Sequence, residues 1–178
     1  MEKFYLEEPS LERKYEIIFE SENILYVKIN ENLINDYLIM VNDPEVQKGI
    51  SRKAKIYTYE QELEWVKEKL NEDAIIFLMI EKETNEYIGN VEIMKIIENV
   101  GEIAIAITPL KQNKHYGQEA MQSIINYALN IMNLENVDLN VYKTNSRAIH
   151  CYEKVGFVRY GVGKTEEDIH MIYKKRRW

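Results

Sequence analysis

The chain has 178 residues, of which 46% are hydrophobic and 30% are charged, with only seven glycines and three prolines. This composition excludes disordered and fibrous classes, and the length suits one domain that buries about 70% of its unfolded surface. The net charge of -7 argues against a nucleic-acid partner, and the single cysteine, Cys151, excludes an internal disulfide and a multi-cysteine metal site.

The sequence also lacks the marks of membrane insertion or export. Apolar runs stay well short of the roughly 18 residues that cross a bilayer, and the N-terminal stretch "MEKFYLEEPSLERK" is too acidic for a signal peptide. We therefore expect a cytoplasmic protein with no membrane partner. The acidic charge suits a cationic substrate, although solubility is the simpler explanation.

The first pattern along the chain is helical. Ser10 is a typical N-cap, and apolar residues recur after it at helical spacing as far as Phe19. We therefore predict a helical extension over residues 1–22, packed on a domain that spans residues 23–178.

A strand and two helices are expected next. Alternation in "NILYVKIN" predicts the strand, and "ENLINDYLIMVNDPEV" predicts a helix that Pro44 terminates. Thr58 and Gln61 have the spacing of a capping box, which predicts the start of the second helix.

The middle of the chain changes to strand periodicity. Three consecutive runs have short connections and strand-forming residues, namely "AIIFLMIEK", "YIGNVEIMKII" and "GEIAIAIT", and the last run stops at Pro109. They predict an antiparallel meander that is covered on both faces, because its centre is nearly all apolar.

The last third returns to alternating helices and strands. We predict a helix from about Tyr116 to Met132, the strand "NVDLNVY", a helix closed by Gly156, and one or two final strands that include "DIHMIYKK". A strand, helix, strand unit after a meander implies an α/β (α+β) fold. Its mixed sheet would have about six to seven strands, with helices on both faces.

One turn in this region has the features of a phosphate site. The stretch "TPLKQNKHYGQEAM" reads as a strand end, a turn and the start of a helix, where unpaired N–H groups and about half a positive charge favour an anion. Such turns usually carry two glycines, whereas this one has Gly117 and, two residues earlier, His115. Histidine tolerates a positive φ better than most residues and keeps its N–H group, so we expect the turn to survive.

Two longer motifs and two short stretches resemble the GCN5-related N-acetyltransferase (GNAT) superfamily. "QNKHYG" is similar to its acetyl-CoA motif Q/R-x-x-G-x-G/A, with His115 in place of the first glycine. "NDPEVQK" and "YIG" look like the branch that acetylates ribosomal-protein N-termini and polyamines, and the resemblance covers roughly residues 23–175. The superfamily signature N-x-x-A-hydrophobic-x-x-Y-x-x-x-G-F is matched by Asn145, Ala148, Ile149, Tyr152, Gly156 and Phe157.

The resemblance implies a single-domain fold whose V-splayed sheet holds acetyl-CoA. The cosubstrate would lie between the third meander strand and the strand that begins near Val137, with its pantetheine arm added to the meander strand. Asn145 would bond the cosubstrate or fix the adjacent loop. The residues expected to bind acetyl-CoA are Ile105, Ala106, Ile107, Gln112, Lys114, His115, Tyr116, Gly117, Gln118 and Asn145.

The resemblance also implies a catalytic acid. Tyr152 would face the sulfur and protonate the leaving thiolate. Because an amine is mostly protonated at neutral pH, a carboxylate must first accept its proton, and we choose Glu102 over the alternative Glu92. Cys151 adjoins Tyr152 on the helix and points elsewhere, so we interpret it as a packed thiol.

These features favour an N-acetyltransferase that transfers the acetyl group of acetyl-CoA to a primary amine by direct attack through a tetrahedral intermediate. A polyamine, another small amine or a protein N-terminal amine would each suit as acceptor, and a homodimer is among the possible assemblies. His150 and His170 lack ligand spacing, so no metal is expected. The alternative is a catalytically impaired member of the fold that binds CoA or a partner without turnover. This alternative is suggested by His115, which replaces the first glycine of the acetyl-CoA motif.

Overall fold

The computed structural model of the chain describes residues 15–51 and 53–175. Within these residues the α-helices are α1 Ile34–Val41, α2 Pro44–Ile50, α3 Tyr59–Asn71, α4 Tyr116–Asn126 and α5 Ser146–Val155, and a π-helix, Tyr127–Ile131, continues α4 to the predicted end of that helix. The strands are β1 Ile17–Glu20, β2 Ile24–Lys28, β3 Ile75–Glu81, β4 Tyr87–Ile97, β5 Val100–Ile107, β6 Asn136–Tyr142, β7 Val158–Val162 and β8 Asp168–Lys174.

The described strands form one mixed sheet in the order β1-β2-β3-β4-β5-β6-β8-β7. Neighbours pair antiparallel except β5 and β6, which pair in parallel because α4 crosses over between them. The predicted meander is therefore confirmed as β3, β4 and β5. The described sheet has eight strands rather than six to seven, because β1 and both final strands join it.

Each face of the sheet carries its own hydrophobic core. The first core lies under α4 and α5 and includes Met121 and Ile149. The second core lies under α1, α2 and α3 and includes Met40 and Val66. We call the corresponding sides of the sheet the first face and the second face. The prediction of helices on both faces is confirmed.

The prediction of an N-terminal helix is wrong for the part of it that the structure describes. Ile17–Glu20 is a strand that pairs antiparallel with β2, and the ring of Phe19 stacks on Tyr26 with centroids 4.2 Å apart. A short apolar run fits either period, and cross-strand packing decides in favour of the strand. The predicted part of this helix before Tyr15 lies outside the described residues, and the domain boundary after residue 22 stays a prediction.

Pro44 begins a helix, contrary to its predicted role as a terminator. It is the first residue of α2, and the Asp43 side chain accepts from the backbone N–H of Glu45 at 2.8 Å. The fixed φ of proline and its missing N–H suit the first helical position, so α1 and α2 are separate helices joined at this cap. The capping box of Thr58 and Gln61 is confirmed, with both of its hydrogen bonds present.

Candidate active site

Strands β5 and β6 are neighbours that separate after a short contact. Residues 100–102 of β5 pair in parallel with residues 136–138 of β6. Beyond Glu102, the described part of the chain pairs β5 only with β4, and β6 only with β8. We call the opening between residues 103–107 and residues 139–142 the fork. Its β5 edge presents backbone groups to which an extended ligand can add as a further strand.

Helix α4 begins at the turn that follows β5. Within the described ranges, no acceptor is hydrogen-bonded to the backbone N–H groups of residues 115–118, and no side chain caps the helix. Four unbonded donors and the positive end of the helix dipole therefore point out of this turn. Together they can hold the oxygens of a phosphate group.

His115 is the N-cap of α4 and has a left-handed backbone, with φ 67° and ψ 2°. This is the conformation that a glycine would adopt without strain. The expectation that the turn survives with histidine is confirmed. The imidazole is exposed, so it leaves the backbone donors of the turn accessible.

Gly117 is the point where β5, α4 and α5 meet. A Cβ atom at this residue would lie 3.4 Å from Cδ1 of Ile107 and 3.5 Å from Sγ of Cys151. These are ordinary van der Waals distances, so the junction has room for a Cβ atom and is closely packed beyond it. The half-buried Cys151 thiol fills this junction and burial raises its pKa, in agreement with a packed thiol.

Gln112 ties the end of β5 to the start of α5. Its Nε2 donates to the carbonyl oxygen of Ile107 at 2.9 Å, and its Oε1 accepts a hydrogen bond from Nη1 of Arg147. The exposed Arg147 guanidinium therefore lies beside the turn that precedes α4. Sequence analysis missed Arg147, because nothing in the motif spacing relates it to Gln112.

The side chain of Tyr116 is engaged in a buried polar network. Its hydroxyl donates to Glu81, which also accepts from Lys111 and Thr84, while Lys111 pairs with Glu86 as well. The bonds from Lys111, Thr84 and Tyr116 lower the pKa of Glu81 to about 2. The bond to Glu81 raises the pKa of Tyr116 to about 12. Tyr116 therefore offers a ligand its backbone N–H rather than its side chain.

Asn145 holds the loop between β6 and α5. Its Oδ1 accepts from the backbone N–H of Ala148 at 3.3 Å and caps α5. Its Nδ2 lies 3.2 Å from a Cβ atom placed on Gly49, so the amide also packs against α2. Fixing the loop is one of the two roles that the sequence led us to expect.

Tyr152 lies on the side of α5 that packs against the first core. Its ring centroid is 6.1 Å from that of Phe157, and burial raises the pKa of its hydroxyl, so the phenol stays protonated at neutral pH. No described residue is hydrogen-bonded to that hydroxyl. A protonated and unengaged phenol is able to donate a proton or a hydrogen bond to a ligand.

Glu102 is a buried carboxylate on the second face, at the base of the fork. It accepts from Nδ2 of Asn140 at 3.1 Å and forms ion pairs with Lys164 at 2.6 Å and Lys95 at 3.3 Å. Burial alone would raise its pKa, but the hydrogen bonds from Lys164 and Asn140 outweigh burial and hold the pKa of Glu102 below its usual range. The free protein therefore keeps this carboxylate ionised.

Two further polar residues of β4 share this face. Because side chains alternate along a strand, Glu92 and Asn90 point toward the second core, opposite Val91 in the first. Burial raises the pKa of the half-buried Glu92, and Lys69 opposes that effect. Oδ1 of Asn90 is a buried acceptor without a partner among the described residues. Sequence analysis did not single out Asn90.

The other expected binding residues line the fork and the turn. Ile105 and Ile107 pack against the first core and Ala106 against the second, so the backbone of this segment forms the β5 edge. Lys114 and Gln118 lie in the turn and at the start of α4, with no hydrogen bond or ion pair to other described residues. The expected residues are thus gathered along one edge and one turn.

Within the described residues, no His, Cys, Asp and Glu side chains form a group of three or more that suits a metal ion. His170 instead lies 2.8 Å from Oδ2 of Asp138, through Nε2. Among the same residues, no helix is long and apolar enough to cross a membrane.

Comparison with known proteins gives the family. The family described as the acetyltransferase (GNAT) domain matches residues 24–158, which is most of the chain. The chain belongs to the GNAT acetyltransferase family. The superfamily that the two motifs resemble is therefore confirmed, and membership indicates an acyl-CoA-dependent N-acetyltransferase with acetyl-CoA as cosubstrate.

The GNAT relatives include enzymes named for polyamine substrates. A segment of 85 residues is 33% identical to spermidine N(1)-acetyltransferase from Vibrio cholerae, and it covers 47% of this chain and 49% of that protein. The match thus spans about half the length of this relative.

Solved structures confirm the GNAT fold. Spermidine N-acetyltransferase from Vibrio cholerae, in complex with CoA and spermine, has a TM-score of 0.75 at 20% identity and covers 85% of this chain and 95% of its own. A ribosomal-protein alanine acetyltransferase from Vibrio fischeri has a TM-score of 0.68 at 19% identity, with 90% and 97% covered.

Proposed function

We propose that this GNAT protein transfers the acetyl group of acetyl-CoA to a primary amine by direct attack through a tetrahedral intermediate. The observation that carries the proposal is the fork, whose open β5 edge leads to the turn with unbonded N–H groups at residues 115–118. A ligand with an extended, amide-bearing arm and a pyrophosphate would engage both sets of groups at once. Acetyl-CoA has both parts.

Each part of the cosubstrate would have its own contacts. The backbone of residues 105–107 would pair with the pantetheine arm, and the N–H groups of residues 115–118 would bind the pyrophosphate. Gln112 and Arg147 would keep the turn in register with the β5 edge, since they already connect β5 to α5. Lys114 would add a positive charge near the phosphates.

Acid and base would act from opposite faces of the sheet. Tyr152 lies with α5 on the first face and Glu102 on the second, and the fork is the gap between them. The amine would lose a proton to Glu102 and attack the thioester carbonyl carbon, which forms the C–N bond and an oxyanion. Collapse of this intermediate breaks the C–S bond, and Tyr152 donates its proton to the departing thiolate. The nitrogen then passes its surplus proton to the resulting tyrosinate, which leaves the neutral amide and restores Tyr152.

Glu92 is a second candidate for the base. It shares the second face with Glu102, and its raised pKa is closer to neutrality, which favours proton acceptance at physiological pH. We expect Glu102→Gln, and not Glu92→Gln, to remove the acidic limb of the pH profile of kcat/KM. The opposite result would assign the base to Glu92.

The acceptor would be a polyamine, another small amine or a protein N-terminal amine. The second face supports a cationic acceptor, because it holds Glu92 and the free oxygen of Asn90 on β4. Glu62 and Glu92 also both lie close enough to Tyr37 to add to the effect of burial in raising the pKa of its hydroxyl. The name of a relative points to spermidine, and that of a structural neighbour to an alanine of a ribosomal protein, as first compounds to test.

The decisive experiment measures CoA release from acetyl-CoA with a panel of such amines. We expect Tyr152→Phe to lower kcat by about 100-fold or more while the dissociation constant for acetyl-CoA stays the same. Tyr160→Phe is the matched control, because Tyr160 is an exposed tyrosine on β7. Absence of turnover with every amine, together with an unchanged melting temperature on adding acetyl-CoA, would contradict the proposal. Binding of CoA without any turnover would instead favour the catalytically impaired member.

A further inference from the structure

The Glu102 carboxylate is already occupied by an alkylammonium group of the protein. Only 5% of the Glu102 side chain is exposed, and Nζ of Lys164 lies 2.6 Å from its Oε1. Nδ2 of Asn140 donates to the same oxygen at 3.1 Å. Nζ of Lys95 lies 3.3 Å from the other oxygen, Oε2. The two lysines therefore hold different oxygens of one buried carboxylate.

The contact with Lys164 is easy to exchange. Its side chain reaches Glu102 from the turn between β7 and β8 and remains 54% exposed. Ion pairs of half-exposed lysines contribute little net stability, because the ammonium regains its hydration when it leaves. When Lys164 leaves, Lys95 and Asn140 still neutralise and bond the carboxylate, so it does not become a bare buried charge.

We propose that the Lys164 ammonium occupies, in the free protein, the position that the acceptor's ammonium takes on Oε1 of Glu102. This inference rests on the proposed function, in which Glu102 receives the proton of the amine. The acceptor must displace Lys164, so this lysine sets the affinity for the amine without taking part in the chemistry.

The occupant also indicates the class of acceptor. The Lys164 side chain is a primary ammonium on an unbranched chain of four methylenes, and it reaches Oε1 of Glu102. The space along this side chain is therefore wide enough for a straight alkylammonium. A primary amine on a straight alkyl chain fits this path better than an amine on a branched carbon. Displacement has a chemical benefit as well, because the Lys164 hydrogen bond is the strongest contact that keeps the pKa of Glu102 low. The acceptor's ammonium takes over this contact, and once it gives up its proton no cation is left on Oε1 to oppose protonation of Glu102.

The test measures binding of n-butylammonium chloride, which reproduces the end of a lysine side chain. Titration calorimetry on the CoA-saturated protein should give about tenfold tighter binding for Lys164→Met than for the natural protein. Lys164→Arg keeps a cation on Glu102 and should bind like the natural protein. Lys67→Met removes the same charge from an exposed position on α3 and should also leave binding unchanged. Affinity for CoA should be equal in all four proteins.

Kinetics with n-butylamine separate this inference from the proposed function. A lower KM for the amine in Lys164→Met, with an unchanged KM for acetyl-CoA, supports the displacement. Equal amine binding in Lys164→Met and the natural protein would overturn it, even if both proteins turn the amine over. Tighter binding in Lys164→Met without turnover of n-butylamine in any protein would keep the displacement and would count against acetyl transfer to an amine bound at Glu102.

Discussion

The first prediction concerns His115, the histidine of the turn that we propose to bind the pyrophosphate. His115→Gly removes the side chain at a residue with φ 67° and ψ 2°. A left-handed conformation costs an L-residue roughly 1–2 kcal/mol, and histidine tolerates it better than most. Glycine avoids this strain but adds roughly 0.5–1 kcal/mol of conformational entropy to the unfolded chain. We therefore expect the free energy of unfolding to change by less than about 1 kcal/mol.

The effect on acetyl-CoA should be small for a separate reason. The donors at this turn are backbone N–H groups of residues 115–118, which the substitution retains. We expect the dissociation constant of acetyl-CoA, measured by titration calorimetry, to change by less than tenfold, or about 1.4 kcal/mol. His115→Ala is the matched control, because it removes the imidazole and keeps the left-handed strain.

Comparison of His115→Gly with His115→Ala shows whether a change in acetyl-CoA affinity comes from the imidazole or from the backbone. Equal dissociation constants for His115→Gly and His115→Ala would attribute any change to the lost imidazole. A difference between them would attribute it to the backbone of the turn. A hundredfold tighter binding by His115→Gly would refute this reasoning, since it would show that the imidazole obstructs the phosphate.

Three further predictions follow from single contacts. Gly89→Ala places a Cβ atom 2.0 Å from a backbone oxygen of β5 and should lower the free energy of unfolding, measured in urea, by about 3 kcal/mol. The control is Gly161→Ala, where the Cβ atom would lie in open space and the free energy of unfolding should change by less than about 0.5 kcal/mol. Equal effects would argue against the close approach. Arg147→Ala should weaken acetyl-CoA binding by about threefold to tenfold in calorimetry, because it loosens the turn, and unchanged binding would leave Arg147 without a role. The pKa of Glu81 is about 2, below its ordinary 4.5, so its stabilisation is complete above about pH 4.5 and is lost as the pH falls toward 2. Glu81→Gln should flatten the pH dependence of urea unfolding in that window, and parallel curves would contradict the network.

Local sequence signals predicted most of the elements. The Thr58 and Gln61 box, the left-handed Gly156 after α5 and the three meander strands all depend on neighbouring residues, and each is present in the structure. The failures are at Ile17–Glu20 and at Pro44. There the local pattern admits two structures, and packing against β2 or a cap from Asp43 decides between them.

The motifs indicated candidate residues in the turn before α4 and at Tyr152, since those motifs depend on short spacing. They did not indicate how the side chains of the candidate site are engaged. The pairing of Glu102 with Lys164, and the contact of Gln112 with Arg147, join residues that only the folded sheet brings together. Charged surface residues carry no periodic signal that selects one partner among many.

The short parallel contact between β5 and β6 has a consequence for the lifetime of the protein. In the described sheet, three residue pairs connect the half that contains β1 to β5 with the half that contains β6, β7 and β8. This seam is where we expect the two halves of the sheet to separate most easily in a sub-global opening. A bound cosubstrate would bridge the seam and add about 2.7 kcal/mol of stability at a hundredfold excess over its dissociation constant. Resistance of the protein to proteolysis should then rise with the concentration of acetyl-CoA in the assay.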